Sequence, residues 1–447
     1  MLRKLLSVLV LPLLLAGTAP AQSTPAAPFN KPRLDSLLTG LEASHRAMGS
    51  LTLSQDGKVV YSRAFGQQQP GVPATPATRY RIGSISKLFT ATMLMQLVEE
   101  GRLKLDAPLA TWFPQLPNAA RITLDQLLHH RSGLHDFTRD AAYPTYMSTP
   151  RTQAQMLTTI GQLTPDFEPG ARFEYNNTNY VLLGYILEKA GGQPYAQALQ
   201  KRITGKLNLK DTYYGGRIDG KKREAASFKW TGSAWQPEPE TDMSIPGGAG
   251  ALVSTTPDLD RFIEGLFGGK LVKPASLQLM MPQQDNYGMA LLMMPFDGKK
   301  GYGHNGSIDE FRSTVLYYPT EKLALAYCQN GGNFPLNDVL IGALASYFGK
   351  PYRLPDLRPA TSVNVVAADL NQLTGTYAST QIPLKITVTA SGTTLTAQAT
   401  GQPALPLTAK SKTQFTFDQA GIMMDFDAAQ HTFTLRQGGG SYLFTRE

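Results

Sequence analysis

Apolar residues near the start of the chain follow first a helical and then a strand-like period. Four leucines between Leu34 and Leu41 recur at helical spacing, which predicts an amphipathic helix over about residues 31–48. The apolar run Leu51–Phe65 is interrupted by Asp56-Gly57, and this pattern predicts a β-hairpin. A helix followed by two antiparallel strands is therefore expected here.

The middle of the chain is predicted to be helical. The segment after Ser84 is apolar on nearly every face, which predicts a buried helix that ends at Gly101. Thr256-Pro257 predicts the start of another helix, with Thr256 as the N-cap and Pro257 in the first position. The apolar residues of the first of these helices are Leu88, Phe89, Ala91, Met93, Leu94, Met95, Leu97 and Val98.

Strand patterns return between residues 286 and 330, with turn signals at Asp297-Gly298 and Pro319-Thr320. Strand-rich pieces on both sides of a helical middle suit one antiparallel sheet with helices packed on it. The predicted fold class is therefore α/β, more closely α+β, with an antiparallel sheet flanked by helices and a helical subdomain.

A separate C-terminal piece is predicted beyond a proline-containing linker, residues 351–365. Short β-prone runs follow, separated by Gly, Pro and Asp or Asn, which predicts a small all-β barrel over residues 366–447. None of the catalytic motifs described below falls inside it. The predicted strands are Thr374–Tyr377, Leu384–Thr389, Thr394–Ala397, Phe415–Phe417, Met423–Phe426, Thr432–Leu435 and Tyr442–Thr445.

Residues 1–21 have the pattern of an export signal: a basic start, the apolar run Leu5–Leu15 and the small-residue site Ala19-Pro20-Ala21. The apolar run is short for a membrane span. Thr18 stands where a bacterial lipoprotein would need Cys. We therefore expect a secreted or periplasmic protein with no stable membrane anchor after signal cleavage. The alternative is an uncleaved N-terminal anchor.

Charge and cysteine content narrow the class of protein further. The formal net charge is +8, but the basic residues are scattered and form no dense run, so nucleic acid is not an expected partner. Cys328 is the single cysteine, so the chain has no internal disulfide. It lies in an apolar run, where a buried and inert thiol is expected.

The pattern S-x-x-K occurs once, as Ser84-Ile85-Ser86-Lys87. A serine hydroxyl is a poor nucleophile at neutral pH without a base, and a lysine three residues later shares its helix face. The alternative makes Ser84 a helix cap and leaves Lys87 in solvent. Because the surrounding helix is predicted to be buried, a lysine in it needs a partner or a lowered pKa, which favours catalysis.

Two further motifs follow in the chain. Tyr175-Asn176-Asn177 is the single Y-x-N, and its non-catalytic interpretation is a turn beside a core tyrosine. His304-Asn305-Gly306 precedes the strand-like run Phe311–Tyr318. A lone histidine is more often structural than functional, so this motif gains its weight from the other two.

In this order the three motifs resemble the active site of the penicillin-recognising serine hydrolases, a group defined by S-x-x-K and two later motifs. Tyr in the second motif and His in the third point to the class C β-lactamase branch, which includes DD-carboxypeptidases and esterases. The resemblance covers roughly residues 30–350 and implies a β-lactamase/transpeptidase-like fold there.

The resemblance also implies roles for individual residues. Ser84 would form the acyl-enzyme, while Lys87 and Tyr175 would move its proton to the leaving group. The backbone N–H groups of Ser84 and Ser307 would form the oxyanion hole, and no metal or organic cofactor is implied. Asn177 would hydrogen-bond both Lys87 and the substrate. The residues expected to bind substrate are Asn177, His304, Asn305, Gly306 and Ser307.

The sequence was also compared with the patterns of a zinc site and of an α/β-hydrolase active site. His129-His130 with His135-Asp136 raises a zinc hypothesis, but the spacing is not H-E-x-x-H and no cysteine ligand accompanies it. The sequence contains no G-x-S-x-G, which excludes the nucleophile elbow of the α/β-hydrolases.

The expected function is therefore a secreted serine hydrolase acting on esters, D-amino-acid peptides or β-lactams, with a small-molecule or peptidoglycan-derived substrate. A DD-carboxypeptidase and a true class C-type β-lactamase are the rivals. His304 is expected to be only partly charged near neutral pH, where Lys would be a fixed cation, and this weakens the case for β-lactams. A non-catalytic peptidoglycan-binding or sensor protein on the same fold is the alternative of a different kind.

Overall fold

The computed structural model describes residues 28–283, 285–355, 357, 365–400, 404–417, 422–437 and 440–447. The predicted export signal, residues 1–21, lies outside these ranges, as does part of the predicted linker 351–365. Within the described ranges, no helix combines the length and the apolar character needed to cross a bilayer.

Helices and strands alternate irregularly along the described part of the chain. The helices are α1 Lys31–Ala43, α2 Ser86–Glu99, α3 Leu124–Leu128, α4 Tyr143–Tyr146, α5 Gln153–Gly161, α6 Asn177–Gly191, α7 Tyr195–Leu199, α8 Gly205–Leu207, α9 Gly247–Gly250, α10 Thr256–Phe267, α11 Pro274–Met280, α12 Leu336–Tyr347 and α13 Ala367–Asn371. The strands before residue 350 are β1 Ala47–Gln55, β2 Lys58–Phe65, β3 Gln67–Gln69, β4 Val72–Pro73, β5 Tyr80–Arg81, β6 Tyr213–Tyr214, β7 Phe228–Trp230, β8 Trp235–Pro237, β9 Leu252–Ser254, β10 Leu292–Met293, β11 Tyr302–Ile308, β12 Phe311–Tyr318 and β13 Leu323–Gly332. Those after it are β14 Gly375–Ala378, β15 Lys385–Ser391, β16 Thr394–Ala399, β17 Leu405–Ala409, β18 Gln414–Phe417, β19 Ile422–Asp427, β20 Thr432–Gln437 and β21 Gly440–Arg446.

Strands from distant parts of the chain form one antiparallel sheet with the order β10-β11-β12-β13-β1-β2. β1 pairs with its hairpin partner β2 and with the much later β13, where Leu53 lies opposite Leu325. The predicted antiparallel sheet built from both sides of a helical middle is thereby confirmed.

The sheet separates two apolar cores because successive side chains of a strand point to opposite faces. Val315 and Ala326 face the core shared with the helical body, to which α2, α6 and α10 contribute. Leu316 and Leu325 face the second core, which α1 and α12 cover. The helical body therefore lies on one face of the sheet, and the first predicted motif begins its central helix, α2.

Two helix boundaries differ from the sequence-based expectation. The helix predicted over 31–48 ends at Ala43, because His45 adopts a positive φ of 52° and the chain turns into β1. The N-cap of α10 is Thr255, not Thr256, since the Thr255 side chain accepts a hydrogen bond from the N–H of Asp258. The cap is still a threonine, displaced by one residue.

The C-terminal strands β14–β21 close into a barrel, as the predicted small all-β barrel requires. Its interior is filled by side chains: the rings of Phe433 and Phe444 stack with centroids 4.9 Å apart, and Tyr377 lies 4.8 Å from Phe433. The sequence pattern missed β17. Pro406 resembles loop punctuation but pairs with Thr396 in the sheet, so a strand was mistaken for a loop.

Deleting residues 360–447 should leave a folded protein whose Ser84 still reacts with a fluorophosphonate. The barrel has a core of its own, distinct from the two cores of the preceding sheet and helices. Circular dichroism and a thermal melt of the truncated chain check this prediction. Loss of cooperative unfolding would show that residues 30–350 and 366–447 fold as one unit, and the predicted two-domain division would then be wrong.

Candidate active site

The S-x-x-K motif lies where a short 3-10 turn, Gly83–Ile85, leads into α2. Gly83 has a φ of +49°, and a Cβ placed there would lie 2.7 Å from the backbone nitrogen of Ser307. Glycine is therefore required both by backbone conformation and by the close approach of β11. This approach brings the backbone of Ser307 against the turn that carries Ser84. The oxyanion hole formed by Ser84 and Ser307 stays a prediction.

Lys87 is fully buried and forms three hydrogen bonds from its Nζ. It donates to Ser84 Oγ at 2.9 Å, Asn177 Oδ1 at 2.9 Å and the carbonyl of Ala249 at 3.0 Å. The alternative that places Lys87 on a solvated face is therefore wrong. Of these three partners only the serine hydroxyl has a hydrogen to give, so a neutral Lys87 amine would accept its proton from Ser84.

The environment of Lys87 makes the neutral amine accessible near neutral pH. Burial lowers the pKa of Lys87 from 10.5 to about 7, although the nearby carboxylate of Asp136 opposes this shift. A substantial fraction of the amine is then unprotonated at pH 7. Lys87 can therefore act as a general base without first being deprotonated by another group.

Tyr175 lies against both members of the first motif. Its ring centroid is 4.8 Å from Lys87 Nζ. Burial raises the pKa of Tyr175, and a side-chain hydrogen bond with Ser84 acts in the opposite direction. The phenol is therefore neutral at physiological pH. A neutral hydroxyl beside Ser84 can relay a proton but does not serve as a permanent base.

Asn177 is the first residue of α6, and each polar group of its side chain forms hydrogen bonds. Its Oδ1 accepts from Lys87, while its Nδ2 donates to Asp136 Oδ2 at 3.1 Å and Thr138 Oγ1 at 3.2 Å. Asp136 also accepts from the backbone N–H of Asn177 at 3.0 Å. Both amide hydrogens are thus occupied. This geometry favours a role in holding Lys87 over the expected contact with substrate.

The third partner of Lys87, the Ala249 carbonyl, was not identified from the sequence. It is carried by the short helix α9, which approaches α6 closely because Gly184 and Gly248 face each other. A Cβ on Gly248 would lie 2.7 Å from the carbonyl oxygen of Tyr180. The glycine-rich run Gly247–Gly250 was the available sequence signal for this close packing.

The third motif lies on β11, at one side of the sheet. Pairing with β10 involves Tyr302 and Gly303, so His304 and the following residues lie beyond that short pairing. Gly306 is needed here, since a Cβ on it would lie 2.0 Å from the carbonyl oxygen of Ile82. The strand therefore packs directly against the segment that leads to Ser84.

The four residues expected to bind substrate on β11 divide between the two faces of the sheet. Asn305 and Ser307 are exposed, whereas His304 is 2 % exposed and faces the helical body. Asn305 Oδ1 accepts from Thr314 Oγ1 at 2.8 Å on the opposite face. The side chains of Asn305 and His304 therefore cannot contact the same part of a substrate.

His304 is neutral, contrary to the expectation of a partly charged side chain. Burial, reinforced by Lys87, lowers the pKa of His304 to about 3. Its Nε2 lies 3.0 Å from the hydroxyl of Tyr287, and its Nδ1 donates to the carbonyl of Asn305. The sequence could not indicate this because Tyr287 comes from a separate loop.

The histidines of the zinc hypothesis have different partners. His129 pairs with Asp125, and His135 Nδ1 lies 2.7 Å from Asp166 Oδ1. His130 is buried against Tyr287. Among the described residues, no group of three or more His, Cys, Asp or Glu side chains is arranged to hold a metal ion.

The antiparallel sheet, its helical body and the first motif at the start of α2 define the class of protein: a serine hydrolase with the fold of β-lactamases and penicillin-binding proteins. Residues 34–347 match the model of the Beta-lactamase family. The chain belongs to that family, whose members are serine hydrolases.

Three curated relatives resemble this chain over different lengths. The penicillin-binding protein 4* of Bacillus subtilis is 26 % identical over 91 % of this chain and 96 % of the relative. The teichoic acid D-alanine hydrolase of Staphylococcus aureus is 25 % identical over 64 % of this chain and 71 % of the relative. The match to the putative penicillin-binding protein PbpX of Bacillus subtilis, 26 % identical over 55 % of this chain, covers 62 % of that protein.

Solved structures give the same fold. The D-amino acid amidase of Ochrobactrum anthropi SV3 superposes with a TM-score of 0.61 at 28 % identity, over 71 % of this chain and 97 % of the amidase. An octameric penicillin-binding protein homologue from Pyrococcus abyssi has a TM-score of 0.66 at 24 % identity, and it covers 93 % of this chain. The second similarity shows the fold alone.

Proposed function

We propose that this chain hydrolyses ester or amide bonds through an acyl-enzyme on Ser84. The observation that carries the proposal is the 2.9 Å contact between Ser84 Oγ and the buried Lys87 Nζ, whose pKa is about 7. A lysine is costly to bury, and this one donates to the hydroxyl of Ser84. A non-catalytic sensor would have no use for a buried base beside Ser84.

The reaction takes place in two steps. Ser84 Oγ attacks the substrate carbonyl carbon while Lys87 accepts the hydroxyl proton, and the backbone N–H groups of Ser84 and Ser307 stabilise the oxyanion. The bond to the leaving group then breaks as Tyr175 relays a proton to it. A water molecule attacks the acyl-enzyme and loses a proton to the same pair. The pair returns a proton to Ser84 Oγ as the ester bond breaks and the acid is released.

The substrates we favour are esters and amides of D-amino acids. The third motif offers a neutral His304, so it provides no fixed positive charge for a substrate carboxylate. Relatives named as a teichoic acid D-alanine hydrolase and a D-amino acid amidase fit this preference. A DD-carboxypeptidase or class C-type β-lactamase is the second candidate, because related proteins are named as penicillin-binding proteins. Export to the periplasm or medium is part of the proposal, and N-terminal sequencing of the exported chain tests it.

A side-by-side kinetic comparison tests the substrate preference. We expect kcat/KM for D-alanine p-nitroanilide and p-nitrophenyl butyrate to exceed that for nitrocefin by roughly tenfold or more. One missing charge contact to the β-lactam carboxylate is worth about 1–3 kcal/mol. Ser84→Ala gives the background rate for each substrate. Faster turnover of nitrocefin, or of a D-Ala-D-Ala peptide, would instead support the second candidate.

A further inference from the structure

Three buried side chains form a row behind the proposed catalytic residues. The hydroxyl of Tyr287 lies 3.1 Å from His130 Nε2 and 3.0 Å from His304 Nε2. All three side chains belong to residues that are at most 5 % exposed. One hydroxyl therefore joins two imidazoles that solvent does not reach.

Backbone groups at the two ends fix the direction of every hydrogen bond in this row. The N–H of Asn176 lies 3.1 Å from His130 Nδ1 and can only donate, so that nitrogen carries no hydrogen. A neutral His130 then carries its hydrogen on Nε2 and donates to Tyr287. The Tyr287 hydroxyl must therefore donate onward to His304 Nε2.

The hydrogen bonds of His304, at the other end of the row, independently give the same direction for the Tyr287 hydroxyl. The carbonyl of Asn305 can only accept, so His304 Nδ1 must carry the hydrogen that faces it. A neutral His304 then has an unprotonated Nε2, which accepts from Tyr287. Protonation of His304 would turn its Nε2 into a donor, and the Tyr287 hydroxyl would then face two donors. Protonation of His130 would place a hydrogen on Nδ1, which would then face the N–H of Asn176.

A neighbouring hydrogen bond agrees with this assignment. Ser132 Oγ accepts from the N–H of Leu134 at 3.1 Å, so its hydrogen goes to Asn179 Oδ1 at 2.6 Å. The Nδ2 of Asn179 is then free to donate to His130 Nδ1 at 3.4 Å. Two donors therefore face the same unprotonated nitrogen.

We propose that Tyr287 and His130 are positioning residues that hold His304 as its neutral Nδ1–H tautomer and fix the second motif relative to the third. Asn176 lies between Tyr175 and Asn177, and Asn305 lies two residues before Ser307. The row thus connects the segment that carries Tyr175 with the strand that carries the proposed oxyanion donor. The expected effect on catalysis rests on the proposed function. The assignment of the two tautomers does not depend on it.

Packing shows how a loss of Tyr287 would reach the reacting groups. The ring of Tyr175 lies 4.5 Å from that of His130 and 6.2 Å from that of His304, centroid to centroid. Movement of either imidazole would displace Tyr175. A misplacement of about 1 Å in a catalytic group can cost up to about a hundredfold in rate.

The first measurement needs no variant. Long-range ¹H–¹⁵N spectra of the full chain labelled with ¹⁵N-histidine at pH 7 should show His304 as the Nδ1–H tautomer and His130 as the Nε2–H tautomer. His130→Gln and His304→Gln assign the signals by loss. An imidazolium, or the opposite tautomer at either position, would overturn the proposal even in a protein that is fully active.

The second measurement removes the central hydroxyl. Tyr287→Phe should lower kcat by roughly tenfold to a hundredfold with little change in KM, and should change the tautomer or protonation signal of His304. The matched control is Tyr302→Phe on β11, the strand that carries His304. Its ring packs against Phe267, and the kinetics should stay at the wild-type level. Unchanged kcat and His304 signals in Tyr287→Phe would overturn the proposal. Inactive wild-type protein with the expected tautomers would refute only the proposed function.

Discussion

Replacing Ser84 by Ala should lower kcat/KM by about four orders of magnitude or more and abolish covalent labelling by a fluorophosphonate. The variant loses the only group that can form the acyl-enzyme. Stability should change little, because Lys87 keeps two of its three acceptors, Asn177 Oδ1 and the Ala249 carbonyl. Intact-mass spectrometry after labelling and a thermal melt measure the two effects.

The same motif provides a matched control. Ser86 is buried, and its Oγ accepts a hydrogen bond from the N–H of Leu252 at 3.1 Å. Ser86→Ala should therefore keep the label and lose stability, the reverse of the result for Ser84→Ala. If peptide mapping places the label on Ser132 or Ser307, Ser84 is not the nucleophile.

Much of the fold could be predicted from local patterns, because they depend on neighbours in the chain. The hairpin of β1 and β2 follows from its apolar run and turn, and α2 follows from an apolar segment closed by Gly101. Errors arose where tertiary packing overrides propensity. Pro406 lies inside a barrel strand although proline usually ends one, and α1 stops early so that β1 can join the sheet.

The site was predictable only where its residues form a local motif. Ser84 lies in the turn that leads directly into α2 and Lys87 in its first turn, so their spacing carries the information. The Ala249 carbonyl and Tyr287 reach the site through folding, and no local pattern marks them. Asp136 was considered only as a zinc ligand, whereas the structure shows it holding Asn177. The neutral state of His304 could not be predicted, since burial and the nearby Lys87 lower its pKa, and neither effect is visible in the local sequence.

Replacing Lys87 by Met should lower kcat/KM by at least about two orders of magnitude, as expected for loss of a general base. In the wild type, kcat/KM should rise with pH through a midpoint near 7, where the buried amine loses its proton. Tyr175→Phe should cause a loss of similar size through the same proton path. The double variant should therefore be less impaired than the product of the two effects predicts. Stopped-flow acylation kinetics between pH 5.5 and 9 measure the rates of both single variants and the double variant. Fully additive losses would show that Lys87 and Tyr175 do not act on one proton path.

The same substitution should also change how stability depends on pH. The pKa of Lys87 is about 7 in the folded chain and 10.5 in the reference state, so between these values the unfolded chain binds the extra proton. The wild-type free energy of unfolding therefore falls by up to about 5 kcal/mol as pH drops from 10.5 towards 7. Lys87→Met has no titrating amine and should not show this decrease. Denaturant unfolding at pH 7, 8 and 9 should show that the free energy of unfolding of Lys87→Met rises relative to that of the wild type as pH falls. Tyr175→Phe should instead run parallel to the wild type, because the raised pKa of Tyr175 keeps the phenol neutral throughout. A Lys87→Met curve that also ran parallel would show that Lys87 keeps an ordinary pKa, and the proposed base would have to be another group.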